Sequence, residues 1–127
     1  MAISLDATVG GANANTYITL DDANSFIEGL VLSDDAAAWD GSSNDNKNRA
    51  LFTAAQRIDR EKFLGARVSD TQALEWPRSG VRKPDTYTNL YGLSFPNRLV
   101  ADYYLDTEIP DRVKHAQVIL AVYLNNN

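Results

Sequence analysis

Two stretches of helical periodicity, residues 44–63 and 110–124, stand on either side of a proline-punctuated span at 66–109. In the first, Ala50, Leu51, Ala54, Ala55 and Ile58 form an apolar stripe, while Arg49, Gln56, Arg57 and Arg60 fall on the outward face. In the second, Pro110 takes the first helical position, where its missing N–H costs nothing. Val113, Ala116, Gln117, Leu120, Tyr123 and Leu124 then line one face, and the closing asparagines read as a frayed end. These stripes predict a mainly α fold, a small helical bundle.

Two shorter helices precede the long ones. Thr19 is a good N-cap, and Asp21 and Asp22 fill a first turn that the helix dipole makes favourable for negative charge. Ala23, Phe26, Ile27 and Leu30 follow at helical spacing, so a helix is expected over about 20–29. Ser33, Asp34 and Asp35 open a second short piece ending at Trp39, and residues 40–46 (DGSSNDN) read as a polar loop. Residues 1–18, rich in Gly, Ala and Asn, predict an extended arm that frays in an isolated subunit. The span after Gly65, with Pro77, Pro84 and Pro96, is too long for a structureless connection inside a small domain. It is expected to hold a long loop or a hairpin at 82–107, with Leu99, Val100, Tyr103 and Tyr104 in either a short helix or one strand.

A length of 127 residues suggests one domain spanning 1–127. No cysteine is present, which excludes disulfides, thiolate metal sites and a cysteine nucleophile. No apolar run reaches the roughly 18 residues a membrane helix needs, and no basic segment followed by an apolar run opens the chain, so synthesis in the cytoplasm is expected. The net charge of −5 is unevenly spread. Residues 1–46 hold eight acids and no Lys or Arg; residues 47–83 hold nine basic residues against four acids. Either these charges pair within the fold, or one subunit's acidic third faces its neighbour's basic third in a head-to-tail ring.

A search for catalytic groups finds little. His115 is the only histidine, and the adjacent pairs Asp21-Asp22 and Asp34-Asp35 project about 100° apart on a helix, so capping explains them better than acid–base chemistry. The Asp40–Asp45 loop lacks the ligand alternation and closing Glu of a calcium loop, and Gly10-Gly11 leads into no phosphate-binding motif. No enzyme, no cofactor and no metal site is expected. Trp39 lies in the wholly acidic third and reads as core. Trp76, followed by Pro77 and Arg78 with Arg82 and Lys83 close behind, reads either as a core plug or as a stacking platform beside a basic groove.

Four segments carry a resemblance. Gly11 to Phe26 (GANANTYITLDDANSF) is similar to the opening GANSYVSLxEADAYF of a tailed-phage family. Ala50-Leu51 through Ile58-Asp59 resembles that family's ALxxATxYID helix. Gln72 to Arg78 (QALEWPR) matches its QxLxWPR signature, and Ile109-Pro110 with Val113 and Ala116 matches its closing IPxxVxxA helix. The segments come in the family's order and span nearly the whole chain. The family is described in two ways: as the head–tail connector, or adaptor, of tailed phages, and as a single-stranded DNA-binding protein named for similarity to the primosomal protein DnaT. The first description implies a structural virion protein, made in the host cytoplasm, that forms a homo-oligomeric ring of about twelve subunits under the portal. Its partners would be the portal and the tail, nozzle or stopper proteins, and DNA would pass through the channel without specific binding. The alternative implies a single-stranded DNA-binding protein.

One segment departs from the family pattern. Between Gly80 and Ile109, where the family often has a shorter Gly-containing turn, this chain carries an aromatic, proline-punctuated stretch. Its tyrosines suit an interface better than a solvated loop. The interface residues expected are therefore Trp76, Arg78, Arg82, Lys83, Tyr87, Tyr91, Phe95, Tyr103 and Tyr104.

Overall fold

The last helix is the element every other helix packs against. A computed structural model describes residues 3–29, 34–83 and 103–126. Among these lie α1 (Leu20–Ile27), α2 (Asp34–Asp40), α3 (Asn44–Ile58), β1 (Ala66–Arg67), β2 (Arg78–Ser79) and α4 (Asp111–Asn126). Helix α4 meets α3 most extensively, then α2 and α1. The fold is mainly α, with one two-stranded antiparallel hairpin that pairs Ala66 with Ser79 and Arg67 with Arg78.

Local chemistry sets the helix starts. The Thr19 hydroxyl accepts from the Asp22 N–H at 3.2 Å, and the Ser43 hydroxyl accepts from the Asn46 N–H at 3.2 Å, each satisfying one orphan donor of a first turn. The ends are set by packing. Helix α3 stops at Ile58, five residues before the expected Phe63, because the Arg60 and Glu61 N–H groups tighten into a turn on Arg57 and Ile58. Phe63 thereby leaves the helix and joins a cluster with Trp76. Helix α1 ends at Ile27, with the Gly29 N–H bonded back to Phe26. Helix α4 begins one residue after Pro110, whose carbonyl accepts from Val113 and Lys114. Asn125 and Asn126, expected to fray, are helical: Asn125 donates to the Ser42 hydroxyl at 2.9 Å and Asn126 to the Asp35 carboxylate at 2.6 Å, while Asn127 lies outside the described residues.

Two cores result. The larger joins Ile18, Ala23, Ile27, Ala36, Trp39, Leu51, Ala54, Val118, Ala121 and Val122. Trp39 is fully buried there, its indole N–H donating to Asn24 at 2.9 Å, so the ring adds a few kcal/mol of apolar burial without an orphaned polar group. The smaller joins Tyr17, Trp76, Ile109 and Val113, with Phe63, Leu74 and Val81 against it. The face of α4 that faces inward differs from the expected one. Val113, Gln117, Val118, Ala121 and Val122 are buried, whereas Ala116, Ile119 and Tyr123 are exposed. Apolar residues stand nearly all around this helix, so periodicity alone does not select its inner face.

The N-terminal segment forms no helix or strand, as expected, but it packs against the rest of the subunit. It is not a free arm. Asn15 ties residues 3–18 into a loop, accepting from the Asp6 N–H at 2.8 Å and donating to the Ser4 carbonyl at 3.0 Å. Ala14, Thr16, Tyr17 and Ile18 are then buried against α3 and α4. Gln117 makes this possible. Fully buried, its carbonyl accepts from the Tyr17 N–H at 2.9 Å, and its amide donates to the Thr16 hydroxyl at 2.7 Å and to the Leu51 carbonyl at 2.9 Å. One side chain thus closes the backbone requirements of the arm onto both long helices.

Gly65 illustrates how tightly the hairpin closes. It sits at φ +75°, and a Cβ there would lie 2.1 Å from the Ser79 carbonyl oxygen. It therefore serves a close backbone approach as well as a left-handed turn. Replacing Gln117 with the near-isosteric Leu is expected to lower stability by about 3 kcal/mol, because each buried group left unpaired costs about 1–3 kcal/mol. A urea midpoint unchanged from the wild type would show that the arm is held by other contacts.

Candidate functional site

Proline and arginine in the segment Trp76-Pro77-Arg78 shape the chain before they offer anything to a partner. Trp76 is 5% exposed and lies edge-on to Phe63, with ring centroids 5.5 Å apart, and to Tyr104 at 6.2 Å. Its backbone N–H donates to the Tyr17 hydroxyl at 3.3 Å, and its indole nitrogen has no hydrogen-bond partner among the described residues. Arg78 is equally enclosed, at 7% exposed. Its guanidinium donates to the carbonyls of Leu64 at 2.8 Å and Gly65 at 3.0 Å and to the Glu75 carboxylate at 2.9 Å. A cation with its donors so occupied clamps the 63–65 turn onto β2, and the Glu75 carboxylate balances its charge. Both residues stand inside the subunit.

The remaining cations reach the surface. Arg82 forms an antiparallel bridge with Tyr103, and the Tyr104 N–H donates to the Val81 carbonyl at 3.0 Å. The chain at 103–104 is therefore extended and held by an isolated bridge, not helical. Leu99 and Val100 lie outside the described residues, as do Tyr87, Tyr91 and Phe95. The bridge assembles Arg82, Lys83, Tyr103 and Tyr104 on one edge. The Lys83 ammonium stands 5.8 Å from the Tyr104 ring centroid and 4.0 Å from the Glu108 carboxylate. Arg82 and Tyr103 are both exposed. The cluster from Arg78 to Lys83 is thus split by burial: Arg78 holds the fold, Arg82 is exposed, and Lys83 is half-buried beside Tyr104 and Glu108.

A second polar centre went unnoticed as a site in the sequence. The Tyr17 hydroxyl donates to the Asp59 Oδ1 in a short hydrogen bond, while Asp59 Oδ2 accepts from the Glu75 N–H at 3.4 Å. The same hydroxyl accepts from the Trp76 N–H, so arm, helix end and WPR segment meet at one point. Burial raises the Asp59 pKa, opposed by the hydrogen bonds from Tyr17 and the Glu75 amide. Burial also raises the Tyr17 pKa, and the neighbouring Asp59 carboxylate adds to the effect, which keeps the phenol protonated. Asp59 further lines an open cleft of about 420 Å³ between α3, the arm and residues 73–74. The signal for this centre was present in the Ile58-Asp59 end of the helix motif, but nothing local says which partner Asp59 meets.

Elsewhere the described residues offer little catalytic material. His115 is exposed and stacks on Phe26 at 4.3 Å. No group of three or more His, Cys, Asp or Glu that could hold a metal ion occurs among the described residues. None of their helices is long and apolar enough to cross a membrane.

A family model described as "Putative DnaT-like ssDNA binding protein" matches residues 1–127. The chain belongs to this DnaT-like family. No curated protein and no solved structure gives a match.

In this DnaT-like chain the Tyr17–Asp59 contact has a testable pH signature. Because the folded-state pKa of Asp59 is raised, folding favours its protonated form. That contribution is complete below the ordinary aspartate range and is lost as pH rises through the folded value. The stability of the wild type relative to Asp59→Asn is therefore expected to fall between acid and neutral pH, measured by urea unfolding at each pH. A difference that grows with pH would reverse the assignment.

Proposed function

We propose that this chain is a non-catalytic protein that binds single-stranded DNA along the edge formed by Arg82, Lys83, Tyr103 and Tyr104. The Arg82–Tyr103 bridge carries the reading, since it brings two cations and two phenol rings together in a chain whose family is described by single-stranded DNA binding. Cations at such an edge meet phosphates, and an exposed ring such as Tyr103 offers a face on which a base stacks for about 1–3 kcal/mol, whatever the base. The net charge of −5 works against this attraction, because residues 1–46 carry only acids among their charged groups. Binding is therefore expected to be micromolar and steeply salt-dependent, with Arg82 and Lys83 supplying the phosphate contacts. In fluorescence anisotropy with a labelled single strand, Arg82→Ala combined with Lys83→Ala should weaken binding and flatten the plot of log affinity against log salt by about 1.4, at about 0.7 per phosphate contact. A slope unchanged in the double variant would place the contact elsewhere.

A second reading, the head–tail connector ring, is favoured by a different observation. Ala116, Ile119 and Tyr123 lie exposed along one line of α4, and Ile119 and Tyr123 are each 54% exposed. Apolar side chains so placed suit contact between neighbouring subunits, and the segregation of acidic and basic thirds gives such contacts a head-to-tail sense. In this reading the ring sits between portal and tail components within the virion, and DNA passes through it without being gripped. Negative-stain micrographs of the purified protein, alone and with a portal, should show rings. A protein that stays monomeric and ignores the portal would exclude this second reading.

A further inference from the structure

The cleft beside the end of α3 has the chemistry of a base pocket. Phe52 and Gln56 lie one turn apart on α3, and the C-cap Asp59 and the following Arg60 continue the same flank. Ala14 of the arm and Leu74 of the WPR segment form the opposite wall. The volume of about 420 Å³ falls in the range of roughly 300–1,000 Å³ typical of small-molecule sites. Apolar walls and an aromatic ring are thus combined with an amide, a carboxylate and a guanidinium.

The carboxylate is the group that gives the cleft a preference. Asp59 Oδ1 is engaged by the Tyr17 hydroxyl, whereas among the described residues Oδ2 receives only the long 3.4 Å bond from the Glu75 N–H. An ionised carboxylate has about four acceptor sites, so Oδ2 retains capacity for another donor. Its position is fixed from behind by Tyr17, which is 2% exposed and held in turn by Gln117. A half-buried acceptor anchored in this way favours a ligand that brings an N–H.

Resting on the single-stranded DNA reading above, we propose that this cleft takes one base carrying an exocyclic amine, cytosine or adenine, out of the bound strand. The amine donates to Asp59 Oδ2, and the Gln56 amide pairs with the adjacent ring nitrogen. The Phe52 side chain borders the base, and Arg60 meets the phosphate beside it. Thymine turns its O4 toward the carboxylate instead, so two acceptors face each other and the pair is lost. The edge at Arg82 and Lys83 gives affinity regardless of sequence, and the cleft adds the choice of base.

Oligo-dC and oligo-dT of equal length carry the same backbone charge and ring size, so anisotropy titrations against the two isolate this choice. The wild type should bind oligo-dC tighter by on the order of tenfold. Gln56→Ala, at an exposed position, should reduce that ratio by weakening oligo-dC binding more than oligo-dT binding. Asp59→Asn, whose amide can donate to O4, should narrow it further, and circular-dichroism melting confirms that each variant folds. Equal affinity for the two strands, or a preference for oligo-dT, overturns the base pocket while leaving the DNA-binding reading in place. Binding to neither strand overturns both.

Discussion

The carboxamide of Gln117 is the interaction on which the rest of the fold depends. A buried glutamine must satisfy two N–H donors and a carbonyl, and here its partners lie 66 to 101 residues away in sequence. Because those partners are the Tyr17 N–H, the Thr16 hydroxyl and the Leu51 carbonyl, one amide fixes the arm against α3 and α4 at once. Apolar contact alone would leave the arm free to slide, since hydrophobic attraction has no direction. The hydrogen bonds give it a register.

Register in the arm then propagates. With the Tyr17 backbone fixed, its phenol reaches Asp59 and the Trp76 N–H, and the WPR segment is drawn over the end of α3. Arg78 closes the same segment from the other side by binding the 63–65 turn. The buried polar groups are therefore linked, and each supports an apolar neighbour: Gln117 lies between the two cores, and Arg78 stands 5.9 Å from the Phe63 ring. Linked, satisfied polar networks specify one arrangement among several that would bury similar area.

This division between inside and outside also decides which charged residues lie at the surface. Sequence proximity groups Arg78, Arg82 and Lys83 into one basic cluster, but strand geometry sends Arg78 inward and leaves Arg82 on the surface beside Tyr103. Trp76, the residue most readily taken for a stacking platform, is instead enclosed by Phe63 and Tyr104. The exposed aromatic at this edge is Tyr103. Both proposed functions use surfaces that the internal network leaves facing outward.

Local sequence determined the helices, because a helix start needs only a nearby cap and a helix needs only its own periodicity. Thr19, the stripe from Ala50 to Ile58 and the proline before α4 made these elements legible, as did the family motifs that cover the chain. Tertiary structure decided the remainder. It placed the arm in the core, chose the inner face of α4, whose second half is apolar all round, and brought Asp59 to Tyr17. Each of those outcomes turns on a hydrogen bond or packing contact between residues far apart in the chain, and a linear pattern carries no record of such partners.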